Sequence, residues 1–174
     1  MPAQCSDFSI SHNPFSADAV NFRKLAAQTA QLARCGLTSV PVLSARCETL
    51  HAPGNRIRAL EWPSLTACRM ALLNVNLSDN LLTELPEQLA SCPHLLELLV
   101  GHNRLTGLPL SYAKMTSLVC LVLSGNALGS LPDAVLGMRS LQWLALANNS
   151  IKELPRSLSR SLPRLQSLLI NITL

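Results

Sequence analysis

This chain of 174 residues has few aromatic residues and none of the common sequence signatures of an active site. Only 3% of its residues are Phe, Trp or Tyr, which suits a core of stacked aliphatic side chains. It has no glycine-rich phosphate loop, no His-Glu-x-x-His pair and no nucleophile elbow. His12, His51, His94 and His102 have no metal-ligand spacing among themselves or with the cysteines. These absences predict a protein that is not an enzyme and that needs no cofactor or metal.

The chain also lacks a strong charge of either sign and a long apolar run. Its net charge is +4 and its arginines are spread along the sequence, so nucleic-acid binding is not indicated. Lys152, Arg156, Arg160 and Arg164 form one local basic cluster. We expect a solvated outer face there, with a contact for an acidic partner or an anionic membrane as the alternative. The sequence predicts no transmembrane segment and no signal peptide.

What the sequence does contain is a repeat that is marked by an asparagine every 23 residues. Apolar residues precede each asparagine by eight, five and three positions and follow it by two and five positions, and a proline comes next. The marking asparagines are Asn80, Asn103, Asn126 and Asn149, and the four copies begin at Leu72, Leu95, Leu118 and Leu141. A self-similar period of this length predicts a solenoid.

The same register continues toward both ends with less regular spacing. Residues 47–71 fit a 25-residue unit with Asn55 in the asparagine position, and the 20-residue unit before it has Cys35 there. Thr173 falls at the corresponding position near the other end. We therefore predict a single domain, residues 1–174, made of a degraded repeat (1–26), irregular repeats (27–71), four regular repeats (72–164) and a truncated repeat (165–174).

These segments resemble the leucine-rich repeat family in its 23-residue form with a Leu-Pro step, which is common in intracellular scaffold proteins of the Ras-suppressor type. The resemblance implies an α/β solenoid, with a parallel β-sheet on the concave face and short 3₁₀ or extended segments on the convex face. The Leu-x-Leu spacing is the period-two pattern of a strand with one buried face, and the proline disfavours a long helix. Neither end shows a cap, so we expect a fragment of a longer protein; the alternative is that residues 171–174 fold back as a cap.

The repeated asparagines are predicted to form a buried structural ladder, made of Asn55, Asn80, Asn103, Asn126 and Asn149. Each side-chain amide has two donors and an acceptor, which can satisfy backbone groups of the turn that have no other partner. A buried backbone group without a partner costs about 1–3 kcal/mol, so a regular polar ladder inside an apolar stack is reasonable. The residues one and three places after each asparagine are predicted to turn the chain.

Strand residues that do not point into the core are predicted to line the concave wall. In the second half of the array these positions are unusually apolar, and the residues are Leu73, Leu96, Leu99, Val119, Val122 and Trp143. Asn74, Asn76, Glu97 and Gln142 are expected to surround them, and Ala145 falls at an exposed position of the same wall. An apolar patch of this kind indicates an interaction site. The alternative is that a neighbouring domain or a second copy of the chain covers it.

We therefore expect a non-enzymatic scaffold or signalling adaptor that binds a protein partner, of unknown identity, through the concave wall. The alternative is the substrate-recognition segment of a larger phosphatase, kinase or ubiquitin ligase whose catalytic domain lies outside this chain. Extracellular members of the family usually carry paired-cysteine caps, and the six cysteines here are scattered instead. Free thiols in a reducing compartment are expected, which predicts a cytoplasmic protein and disfavours a receptor ectodomain.

Overall fold

The structure is a computed structural model that describes residues 7–12 and 27–171, and these residues form a solenoid with one open parallel sheet. The strands are β1 (Asp7–Ser9), β2 (Thr29–Gln31), β3 (Thr49–His51), β4 (Asn74–Asn76), β5 (Glu97–Leu99), β6 (Cys120–Val122), β7 (Trp143–Ala145) and β8 (Ser167–Leu169). Each strand pairs in parallel with the next one along the chain, so the order in the sheet is the order in the sequence. The predicted α/β solenoid with a parallel sheet is confirmed.

The core lies directly behind the sheet, because the middle residue of each strand from β2 to β7 points into it. These residues are Ala30, Leu50, Val75, Leu98, Leu121 and Leu144, and all of them are buried. The residues on either side of the middle one face outward, as the alternation of a strand requires. One repeat has too little apolar surface to form a core, so the stack of repeats supplies it.

The convex side is built from short 3₁₀ helices at Trp62–Ser64, Glu87–Ser91, Leu110–Lys114 and Asp133–Gly137. Pro86, Pro109 and Pro132 directly precede the last three, with φ values of −69°, −56° and −60°. In each case the proline carbonyl accepts the N–H three residues later, as Pro109 does from Tyr112 at 3.0 Å. The Leu-Pro step therefore starts the convex turn, and the prediction of short convex segments is confirmed.

The convex segment before β8 differs, because it is one turn of α-helix, α1 (Leu158–Ser161). Strands β7 and β8 begin at residues 143 and 167, which is one residue more than the spacing of 23. The extra residue permits bonds between residues four apart, from the N–H of Ser161 to Ser157 and from that of Leu162 to Leu158, both at 2.9 Å.

The asparagines join neighbouring repeats, as the contacts of Asn103 show. Its Nδ2 donates to the carbonyl of Leu77 in the preceding repeat at 3.0 Å and to those of Val100 and Gly101 in its own repeat at 3.1 and 3.2 Å. Its Oδ1 accepts the N–H of Leu82, again from the preceding repeat, at 3.0 Å. The amide therefore satisfies backbone groups of two successive turns at once.

The other asparagines of the array make the same kind of contacts, although their burial differs. Asn55 and Asn80 are buried like Asn103, whereas Asn126 and Asn149 are half-buried. Cys35 takes the corresponding place one repeat earlier: its Sγ lies 3.1 Å from the carbonyl oxygen of Ile10 and 3.4 Å from that of Ala33. No buried side-chain nitrogen or oxygen in the described part of the chain lacks a hydrogen-bond partner.

A left-handed bend that was not predicted lies directly before each asparagine, and the predicted bends three places after it occur at Thr83 and Gly129. The left-handed residues there are Gly54, Asp79, His102, Gly125 and Asn148, with φ between 52° and 68°. Glycine, asparagine, aspartate and histidine are the residue types that adopt this conformation most readily. Their recurrence at one position of the repeat is the sequence signal that locates the bend.

Candidate functional site

The concave wall is formed by three columns of side chains whose alignment follows from the pairing of the strands. Glu97, Cys120 and Trp143 are paired residues of one column, and Leu99 pairs with Val122 in another. The third column precedes the strands: the N–H of Leu96 donates to Leu73, and that of Val119 to Leu96, both at 2.8 Å. Trp143 therefore shares the middle column with Glu97 and Cys120, and the other predicted apolar residues occupy the columns on either side of it. We call Leu73, Leu96, Leu99, Val119, Val122 and Trp143 the apolar patch.

Two side chains of the apolar patch are widely accessible to solvent. Trp143 is 44% exposed and Leu96 is 40% exposed, whereas the other four residues are half-buried. Because the chain itself leaves these large apolar side chains accessible to water, another molecule can cover them.

Two outward residues of β7 and β8, Ala145 and Leu169, differ in their exposure. Ala145 is predicted to be exposed, but this is wrong: it is only 4% exposed, because its small side chain stands between the paired residues Val122 and Leu169. Leu169, by contrast, is 47% exposed and extends the apolar surface to β8. The period-two alternation alone places both residues on the wall, and their exposure depends on the size of their neighbours.

The other end of the wall contains a polar hollow of about 210 Å³. Its lining is Thr49, Leu50, His51, Asn74, Val75, Asn76, Glu97 and Leu99, and we call it the polar hollow after the five polar side chains among them. The side-chain amide of Asn74 donates to Oγ1 of Thr49 at 3.4 Å, and Nδ2 of Asn76 lies 3.4 Å from Nδ1 of His51. Leu99 belongs to both groups, so the polar hollow and the apolar patch are continuous.

The wall differs from the whole chain in the sign of its charge. The chain carries a net charge of +4, yet the three columns from β3 to β8 contain no lysine or arginine. Their only formally charged residues are Glu48 and Glu97, both acidic and both at or beside the polar hollow. The basic cluster of Lys152, Arg156 and Arg160, with Arg164, is exposed outside these columns.

The cysteines of the described residues are free, and four of them, Cys35, Cys47, Cys68 and Cys92, are buried. Burial raises the pKa of Cys47 to about 11, that of Cys68 to about 12 and that of Cys92 to about 11. Cys120 is half-buried on the concave wall, and its pKa is raised by burial and then by the carboxylate of Glu97. A protonated thiol is a poor nucleophile, so the raised pKa values do not activate Cys47, Cys68, Cys92 or Cys120 as nucleophiles. Cys5 lies outside the described residues.

Two further features bear on function. No group of three or more His, Cys, Asp or Glu side chains comes together as a metal site among residues 7–12 and 27–171. Within the same ranges, no helix has the length and apolar character needed to cross a bilayer.

Comparison with known proteins places this geometry in a family. The family model described as leucine-rich repeat matches residues 116–172. Among solved structures, a leucine-rich repeat protein of Leptospira interrogans superposes with a TM-score of 0.82 at 22% identity, over 97% of this chain and 43% of that one. The leucine-rich repeat domain of a Shigella effector has a TM-score of 0.60 and 31% identity, over 74% of this chain and 52% of that one.

A chain of the Toll–Spätzle complex of Drosophila has a TM-score of 0.69 and 26% identity, over 84% of this chain and 21% of that one. The present chain thus spans from about a fifth to about half of the length of these three structures. No curated protein sequence matches it significantly. The sequence repeat, the parallel sheet, the asparagine contacts and these similarities agree, and the chain belongs to the leucine-rich repeat family.

Proposed function

We propose that this chain is a non-enzymatic protein-binding module that holds its partner on the apolar patch of the concave wall. The observation that carries the proposal is the exposure of Leu96 and Trp143 on the same concave wall, with Val119, whose backbone bonds to both residues, between them. Similar folds occur in protein complexes, as in the Toll–Spätzle complex and in an octameric complex of latrophilin 3, Unc5D and FLRT2. These similarities support protein binding as the general role.

Trp143 is the residue on which we expect binding to depend most. It is the most exposed side chain of the apolar patch, and a partner that covers it would remove a large aromatic surface from water. Tryptophan is enriched among the residues that dominate interface energies, since it buries much area with few rotamers to fix. Its exposure also means that the side chain contributes little to the core of the free protein.

The proposal is tested with a partner that is captured by the wild-type chain and then purified. Trp143→Ala should weaken binding by about 2 kcal/mol or more in calorimetric titration, with an unchanged circular dichroism spectrum. Leu96→Ala should weaken binding as well. Leu110→Ala is the matched control, because Leu110 is 73% exposed on the convex side and should not touch the partner. Equal affinity of wild type and Trp143→Ala would refute the patch and would direct attention to the basic cluster.

We further propose that the module works in the cytoplasm as a scaffold or signalling adaptor. The support is the chemistry of the cysteines, since the buried ones pack as small apolar residues and the described ones form no disulfide. Mass spectrometry after alkylation without a reductant should find unpaired thiols in the native protein. A native disulfide would contradict the assignment to a reducing compartment.

A further inference from the structure

We propose that the polar hollow receives a lysine or arginine side chain of the partner, next to the segment that covers the apolar patch. This inference rests on the proposed function, because it specifies the chemistry of the same partner. Its basis is the sign of the charge along the wall. The chain is basic as a whole, but the only formally charged residues in the three columns from β3 to β8 are Glu48 and Glu97.

The hydrogen-bonding groups of the hollow also favour a donor. The Asn74 amide uses its Nδ2 to donate to Thr49, while its Oδ1 accepts no hydrogen bond from the described residues. The carboxylate of Glu97 likewise accepts none from them and is exposed. A guanidinium or ammonium group carries several donors and no acceptor, so it can donate to both the Asn74 Oδ1 and the Glu97 carboxylate. An acidic or phosphorylated side chain would be repelled there.

The spacing of the strands predicts how far the lysine or arginine of the partner segment lies from the apolar residue that covers Trp143. The hollow is centred on β4 and Trp143 lies on β7, three strands away. Neighbouring strands are about 4.8 Å apart, so the two sites are separated by about 14 Å. An extended peptide advances about 3.3 Å per residue, and the same distance corresponds to about four residues. The partner segment should therefore carry a large apolar residue and, about four residues away, a lysine or arginine.

Selection from a random peptide library tests this specificity without knowledge of the natural partner. The library is displayed on phage and selected in parallel on the wild-type chain, Glu97→Gln and Trp143→Ala. Peptides selected by the wild type should combine the apolar residue and the cation at this spacing. Those selected by Glu97→Gln should keep the apolar residue and lose the preference for a cation.

One selected peptide is then synthesised with its cation and with glutamine in its place, and affinities are measured by fluorescence polarisation. Glu97→Gln should weaken the cationic peptide about three- to tenfold and leave the neutral peptide unchanged, because only the first can form the ion pair. Added salt should weaken the cationic peptide more than the neutral one. Glu87→Gln is the control: it removes the same charge from an exposed position on the convex side.

The outcomes separate this inference from the proposed function. Peptides that require Trp143 but show no preference for a cation, or that bind Glu97→Gln equally well, would overturn the inference and leave the proposed function intact. Peptides that bind Trp143→Ala as tightly as the wild type would overturn the proposed function and the inference with it. The same holds if the wild-type chain enriches no more peptides from the library than Trp143→Ala does.

Discussion

Residues 27–71 and residues 72–164 build the same solenoid from differently spaced sequences. In the first segment, β2, β3 and β4 begin at residues 29, 49 and 74, so the repeats contain 20 and 25 residues. In the second segment β4 to β7 begin at residues 74, 97, 120 and 143, a constant spacing of 23. The strands nevertheless pair in the same register throughout.

The two segments differ much more in their concave walls than in their cores. Leu50, the middle residue of β3 in the first segment, is as fully buried as Leu121, the middle residue of β6 in the second segment. The outward residues change from Thr49 and His51 to Cys120 and Val122. Stacking constrains the inward positions, because each core residue must fit the repeats on both sides. The outward positions have no such constraint, so their chemistry can follow the partner.

The largest effect on stability is expected when the ladder asparagines are removed. Variants in both segments test whether the ladder stabilises the two segments equally. Asn103→Ala and Asn126→Ala should each lower the free energy of unfolding by about 1–3 kcal/mol, because they leave buried backbone groups of two repeats without partners. Asn55→Ala should cost as much, since Asn55 contacts Cys35, Leu37 and Leu32 in the preceding repeat. Chemical denaturation provides the measurement. A negligible effect of Asn55→Ala would show that the first segment is held together differently.

The glycines before Asn55 and Asn126 provide the next comparison, because both adopt a φ of +68°. Gly54→Ala and Gly125→Ala should each destabilise the fold by about 1–2 kcal/mol through the left-handed backbone. A Cβ at residue 125 would also lie 2.6 Å from Nδ1 of His102, whereas one at residue 54 would lie 2.8 Å from Cγ of Arg34.

We expect the imidazole to obstruct the new methyl group more than the flexible arginine does. His102→Ala should therefore recover part of the stability that Gly125→Ala loses, by about 0.5 kcal/mol or more in a double-mutant cycle. Strict additivity of the two substitutions would show that the ring does not pack against residue 125.

The rate of thiol alkylation should distinguish the cysteines of the core from Cys120 on the concave wall, and this comparison needs no substitution. Cys120 should be alkylated first among the described cysteines, since it alone is not buried. Cys47, Cys68 and Cys92 are buried, with pKa values raised to about 11, 12 and 11, so they stay protonated near pH 8. Because thiolate forms only as the pH rises toward the pKa, the rate of Cys120 alkylation should increase with pH. Faster labelling of Cys68 than of Cys120 would contradict the assigned register.

The smallest effects are expected for exposed arginines. Arg104→Ala, beside the ladder in the second segment, should change stability by less than about 0.5 kcal/mol, because its side chain is exposed. Arg156→Ala and Arg160→Ala should change partner affinity little, since neither residue belongs to the concave columns. A large loss of affinity in either variant would indicate that an acidic partner binds the basic cluster. The concave wall would then not be the only binding surface.

Much of the candidate surface could be predicted, because the alternation along a strand assigns each residue to one of two faces. That rule places Trp143 on the wall, whereas Leu96, which precedes β5, lies there because the repeat keeps Leu95 and Leu98 inward. It does not reveal the polar hollow, which requires Thr49, Asn74 and Glu97 to be brought together from three strands. It also fails for Ala145, because burial of a small outward residue depends on the neighbours that flank it.

By itself, the sequence determined the solenoid, the order of the strands and the apolar column behind the sheet, because a repeated pattern can bury its apolar residues only by stacking. Only the tertiary structure decided that each asparagine, such as Asn103, bonds to two repeats at once, since that contact joins residues 26 positions apart. It also decided the helical turn at α1 and the presence of the polar hollow. These features depend on how one repeat lies against the next, and no single repeat contains that information.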